Sequence, residues 1–284
     1  MRSKWLISLG ALLVVLSLVW NFAIFPSMAK MPADYDQEYA FEGSVQVFVA
    51  AAGGLVTIPT TMDRTLTATD VTEDDILLLR QDIVFYEATS GMPLGAINPA
   101  LAALDSTEVY GLDRTTRANV SGNGDANRSG QFTFPADVQQ ETYQYWSSST
   151  RSAIPATFVS EETYQGINVY VFEINSTGNP YFADTATGLP QKMDVYAKIR
   201  VDPVSGIPVF ATSTTTIILQ HPVSPFPVLI NTSTFTSDTV DEMVDLATST
   251  GNLLQWAGVY AFWGVLGLGV ILTAGGVLRS TRGS

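Results

Sequence analysis

The chain has 284 residues, no cysteine, one histidine, and 14 Lys and Arg against 27 Asp and Glu, for a net charge of −13 at pH 7. That balance excludes nucleic acid and anionic lipid surfaces as main partners, because phosphates are gripped by clustered Lys and Arg. The missing cysteines exclude a disulfide framework, a thiolate metal site and a Cys nucleophile, while the apolar content is too high for a disordered chain.

The first element is an apolar run over residues 5–25 that holds no charged side chain. At about 1.5 Å per residue, a helix of that length crosses the roughly 30 Å hydrocarbon layer. It reads as a retained anchor. The competing reading is a cleaved signal peptide with a small-x-small site at Ser27-Met28-Ala29, but the run outlasts an ordinary signal core.

Strand signals follow at 44–50 and 76–88. Residues 110–120 read as a strand ending in Asp113, a four-residue turn and a returning strand. Residues 121–130, rich in Gly and Asn, read as a flexible loop. Further strands are expected at 154–159, 166–174, 192–201, 207–219 and 228–235. The cleanest is 192–201, where Met193, Val195, Ala197, Ile199 and Val201 alternate with Lys192, Asp194, Tyr196, Lys198 and Arg200, the period of a half-buried strand. Residues 199–209 repeat the pattern of 110–120, with Asp202 able to bond the turn backbone and Pro203 and Gly206 suited to its dihedrals. A recurrent hairpin solution explains the repeat more simply than a duplication.

One helix precedes the second anchor. Thr239 and Glu242 have capping-box spacing, and Val240, Met243, Val244 and Ala247 form an apolar stripe. After Gly251 a second charge-free run, 256–278, is long enough to span a bilayer. Its Gly264, Gly267 and Gly275 fall near one face with Ile271, a smooth strip on which the first helix could pack through Gly10 and Ser17, with simple lipid-facing glycines as the alternative.

Arg2, Lys4, Arg279 and Arg282 lie outside the two apolar runs, and no acidic residue precedes Asp34 or follows Asp245. Excess Lys and Arg stays inside, so both termini are expected in the cytoplasm. The expected plan is a two-pass cell-membrane protein: a tail at 1–4, a transmembrane helix at 5–25, an extracytoplasmic domain at 26–252, a second helix at 253–278 and a tail at 279–284. The fold expected of that domain is β-dominated (α+β), an antiparallel twisted sheet or half-barrel.

Several segments carry a family likeness: Phe132-Thr133-Phe134-Pro135, the run from Glu141 through Tyr143 and Tyr145 to Trp146, Ile154-Pro155, Glu161-Glu162, the run from Gly166 to Glu173, and the turn from Val201 to Gly206. With the terminal helices, the chain resembles the bacterial envelope family labelled porin PorA, found mainly in actinobacteria and of unknown function. The resemblance implies topology and envelope location and brings no catalytic residue with it. A β-barrel pore needs many strands with a lipid-facing band, whereas the membrane runs here are two helices without ionisable groups.

No catalytic, cofactor or metal site is expected. His221, the sole histidine, sits in a proline-rich turn with no acid near it in sequence, which leaves a triad and a His-ligated zinc site without parts. The acidic runs at Glu73-Asp74-Asp75 and Asp241-Glu242 read as solvated faces. Residues 123–130 alternate oxygen side chains as calcium requires, but Phe134 stands where a closing carboxylate belongs, and a plain turn fits better. Asn119, Asn127, Asn175 and Asn231 lie in glycan sequons.

By function, the chain reads as a non-enzymatic envelope protein. Its expected partners are the bilayer and an envelope lipid or glycolipid. The alternative is a scaffold for other envelope membrane proteins.

Overall fold

A computed structural model describes residues 2–281. Arg282, one of the four tail cations, lies outside the described residues. The chain divides into two units, one of residues 1–30 with 248–284 and one of residues 31–247.

In the first unit, α1 (Arg2–Val19) runs through a π-helical turn (Trp20–Ile24) into α2 (Phe25–Met28), and residues 4–28 are apolar enough to cross a membrane. Its second span is a π-helical turn (Trp256–Ala261) followed by a helix, α5 (Phe262–Thr281), also apolar enough to cross a membrane. A Cβ placed on Gly10 would lie 2.6 Å from the Gly269 carbonyl oxygen and 2.3 Å from Thr273 Oγ1, so the two backbones touch there. The expected strip is thereby corrected. Gly264, Gly267 and Gly275 have open space around them, and the helices pack through Gly258, Gly269 and Thr273 instead, Gly258 lying against the Phe25 ring. Small residues admit close approach wherever the helical phase puts them, and that phase is set by the π-turn at Trp256–Ala261, which shifts every later residue around the axis. Ser17 is buried, with its hydroxyl turned back to the Val14 carbonyl.

The second unit is one eleven-stranded antiparallel sheet. Its strands are β1 (Asp36–Val49), β2 (Gly54–Val71), β3 (Ile76–Glu87), β4 (Ser106–Asp113), β5 (Asn119–Gly124), β6 (Tyr143–Ser147), β7 (Ser152–Tyr164), β8 (Ile167–Tyr181), β9 (Gln191–Val201), β10 (Pro208–Leu219) and β11 (Phe226–Phe235). A short helix, α3 (Leu94–Ile97), and a 3-10 turn (Pro99–Leu104) join β3 to β4. The order is β5-β4-β3-β2-β1-β11-β10-β9-β8-β7-β6, so β1 and β11 pair in the middle and β5 and β6 are the edges.

Those edges meet. Gln131 bridges Ala118 beside β5 on one side and Tyr145 of β6 on the other, with Asn119 N–H donating to the Gly130 carbonyl and Trp146 N–H to that of Gln131. Ten interstrand spacings would part the edges of a flat sheet by about 48 Å. The sheet is therefore curled until a single short segment spans its gap and takes up backbone groups of Asn119, Gln144 and Trp146 at the two edges.

One face carries most of the core. Tyr39, Phe41, Leu66, Leu79, Phe85, Tyr110, Leu112 and Phe235 belong to one apolar cluster, and Tyr143, Ile154, Ala156, Phe172, Ile174, Met193, Ile199 and Ile217 to a second. Phe134 and Val138, on the segment after the edge bridge, complete the second cluster, and the Phe134 and Phe172 rings stack with centroids 4.4 Å apart.

The helix α4 (Ser237–Gln255) starts two residues ahead of the expected cap. Thr236 Oγ1 accepts from Thr239 N–H, so Thr236 is the cap; the Thr239 hydroxyl is taken by the backbone of Ala40. The apolar stripe is as expected, with Val240, Met243 and Ala247 buried in the first cluster. Gly251 does not end the helix, which runs on to Gln255. Residues 121–124, read as loop, belong to β5, because Arg128 is buried against the Tyr110 ring and fastens the stretch that follows.

Candidate functional site

The clusters are parted on the buried face by polar side chains, Asn231 and Ser233 on β11 and Ser213 and Thr215 on β10. In register with them runs a row of small residues across five adjacent strands: Thr60, Gly43, Ser233, Ser213 and Ala197. Its neighbours in the next row toward one end are Met62, Phe41 and Ile199. Four strand spacings make this row about 19 Å long. Solvent reaches Gly43, Ser213 and Ala197, whereas Thr60 and Ser233 of the row and Phe41 and Ile199 beside it are buried. Asn231 Oδ1 is buried beside the row without a hydrogen-bond partner.

Beyond Met62 on the same face of β2 stands Arg64. It pairs in register with Tyr39 and Ile83, donates from Nε to Gln81 Oε1 at 2.8 Å, and lies 5.8 Å from the Tyr39 ring and 5.5 Å from that of Phe132. Gln81 passes the network on to Tyr110 and Glu108, whose side chains bond each other and Ser148. Burial, then the Glu108 carboxylate, push the Tyr110 hydroxyl far up, which keeps it a donor.

Arg117 comes to the same cluster from the turn after β4. Its Nη1 donates to the Phe134 carbonyl at 2.7 Å, and its Nε is buried without a partner. Burial lowers its pKa from the ordinary arginine value, and the Tyr35 and Tyr39 hydroxyls act against that shift. Tyr39 is raised well above the phenol range by burial first and by Tyr35 next, with Arg64 opposing. The Tyr35 and Tyr39 hydroxyls are 3.2 Å apart. Tyr145 is raised by burial as well, with Arg64 again opposing. Tyr39 thus stands near both guanidiniums.

The residues weighed from sequence lie elsewhere. His221 is exposed, its Nδ1 accepting from Val223 N–H. Asp75 pairs with Arg114, while Glu73, Asp74, Asp241 and Glu242 are exposed. In the calcium-like stretch, the Asp125 carboxylate is taken by Arg128 and Val109 N–H, and Asn127 Oδ1 accepts from Ser121 and Gly122. Among the described residues no three His, Asp or Glu converge as a metal site. Of the sequons, Asn127 and Asn175 are exposed, whereas the Oδ1 atoms of Asn119 and Asn231 are buried.

The segments quoted for the family likeness come together in space. Phe134, Tyr143, Ile154 and Phe172 pack in the second cluster, and the turn ending in Gly206 holds the segment after Phe134 through Val204 and Pro203 carbonyls that accept from Asp137 and Val138. Residues 3–278 match the family described as porin PorA. The chain belongs to the porin PorA family. No curated protein matches it. In this PorA-family chain the two helices are apolar enough to span a membrane and the remainder is the curled sheet. Arg64 and Arg117 escaped sequence reasoning, although aligning the two hairpins puts Arg117 where the second has Gly206.

Proposed function

We propose that this is a non-enzymatic, two-pass membrane protein that holds the acyl chain of an envelope lipid or glycolipid against the inner face of an extracytoplasmic sheet. The carrying observation is the row Thr60, Gly43, Ser233, Ser213 and Ala197, small at every strand while its neighbours Met62, Phe41 and Ile199 are large. Solvent reaches the row at Gly43, Ser213 and Ala197, although the Thr232 carbonyl stands where a Gly43 side chain would, and each acyl methylene buried there contributes about 0.8 kcal/mol. The lack of cysteine and the single, exposed His221 support a binding role. A conducting role, as the family name suggests, would need a polar wall; in one copy the helices meet backbone to backbone at Gly10 and Gly269 without ionisable groups.

The test is mass spectrometry of organic extracts from the full-length chain and from a Ser213→Leu/Ala197→Leu double variant, both in the same neutral detergent. The wild type retains about one acyl lipid per chain beyond what the folded variant retains. Equal lipid in the two would sink the reading and leave a scaffold. Protease added to intact spheroplasts checks the orientation: the sheet unit is cut and both helices survive, whereas a protected sheet unit would place it in the cytoplasm.

A further inference from the structure

We propose that Arg64 and Arg117 form the site for the anionic head group of the bound amphiphile, a carboxylate or phosphate ester. The inference rests on the acyl-binding reading and names its polar end.

The contrast among the arginines comes first. Arg114, Arg128 and Arg200, all substantially buried, each meet a carboxylate, as does the more exposed Arg80. Arg64 and Arg117 are also partly buried, and among the described residues no carboxylate lies within ion-pair distance of either. Arginine keeps its proton under all ordinary conditions, so it cannot escape the desolvation cost by neutralising. A buried charge is stabilised by a counter-charge, and the carboxylate of the Arg64 network, Glu108, is reached only through Gln81. What the fold supplies instead are phenol donors, Tyr35, Tyr39 and Tyr145, which can hydrogen-bond an oxyanion and cannot satisfy a guanidinium's charge.

Arg117 adds a second, independent argument from its backbone. It sits at φ +57° in the turn Asp113–Arg117, whose N–H bonds back to the Asp113 carbonyl. The same turn recurs at Asp202–Gly206 and Asp184–Gly188, where the left-handed position is glycine at φ +72° and +70°. A side chain in that conformation is strained, and Arg117 shares it with Asp75, Asp137, Arg151 and Gln165 among the described non-glycine residues. Here the strained residue carries a guanidinium that meets the Phe134 carbonyl but no carboxylate.

The distance also fits. Four residues of β2, about 13 Å, separate Arg64 from Thr60 on the same face with Met62 between them, so a long acyl chain held at the arginines would pass over Met62 to the small-residue row.

The test uses the full-length chain in neutral detergent with palmitate labelled with carbon-13 at its carboxyl. A carboxylate between two guanidiniums gives its own resonance, fixed at the ionised position while the micellar carboxyl titrates. That resonance is expected in the wild type and in Arg151→Gln, an exposed-arginine control, with affinity at least tenfold lower in Arg64→Gln and in Arg117→Gly, the latter chosen because glycine suits the turn. Hexadecanol and inorganic phosphate at equal concentration should not displace it. The absence of a separate resonance, or undiminished binding in both variants, would overturn the inference. Displacement by inorganic phosphate would make this a free-oxyanion site and overturn its assignment to a lipid. Displacement by hexadecanol equal to that by palmitate would show that the head charge is irrelevant, so the head-group site would fall while acyl binding stood.

Discussion

Arg117 and Gly206 occupy the same left-handed position of the same five-residue turn, and both hold the segment around Phe134. Arg117 donates to the Phe134 carbonyl, while a Cβ on Gly206 would sit 2.0 Å from the Pro135 carbonyl oxygen. The two positions should respond oppositely to exchange. Gly206→Ala combines a backbone clash with a strained φ and is expected to destabilise by about 2 to 4 kcal/mol. Arg117→Gly relieves strain while losing a charge-assisted hydrogen bond, and its stability should lie within about 1 kcal/mol of wild type. Denaturant melts of the purified chain decide both; a strongly destabilised Arg117→Gly would make that residue structural.

The cysteine-free chain suits a cross-linking test of the helix pair. A Cβ on Gly269 would lie 2.9 Å from Val14 Cγ2, whereas Gly267 faces open space. A cysteine pair at positions 14 and 269 should oxidise readily in membranes, and a pair at 14 and 267 should not. Equal oxidation would contradict the packing.

Acid should loosen the hairpins in a specific way. The Glu87 carboxylate is lowered from an ordinary 4.5 to about 2, first by Ser90 and then by the Thr89 backbone, in the turn that ends β3. Asp113 and Asp184 are lowered too, by the amide and hydroxyl of Thr116 and by those of Thr187. A carboxyl depressed in the folded state stabilises above its unfolded pKa, and that stability disappears as pH falls through the folded value. The melting temperature should therefore decline from about pH 4.5 toward pH 2, and Glu87→Gln should be less stable at pH 6 with a shallower acid limb. An unchanged limb would remove Glu87 from the cause.

Strands with one apolar and one polar face, such as β9, were legible in the sequence, as were the two hairpins ending in Asp113 and Asp202. β2 was not, although it runs for 18 residues. Its inward positions read Ile58, Thr60, Met62, Arg64 and Leu66, so the polar members of the candidate site interrupt the alternation that marks a strand. Its outward side adds Pro59 and a run of threonines. The features that make this strand a wall of the site are those that hid it. The shift of helix packing from Gly264 and Gly267 to Gly269 was equally hidden, because a π-turn changes phase without a sequence mark.

The most direct test of acyl binding on the inner sheet face is photolabelling of the full-length chain with palmitate carrying a diazirine along its tail, followed by peptide mapping. The label is expected on β1, β9, β10 and β11 around Gly43, Ala197, Ser213 and Ser233, and to be lost in the Ser213→Leu/Ala197→Leu variant. Label confined to α1 and α5, as bulk lipid would give, with none on those strands, would contradict it.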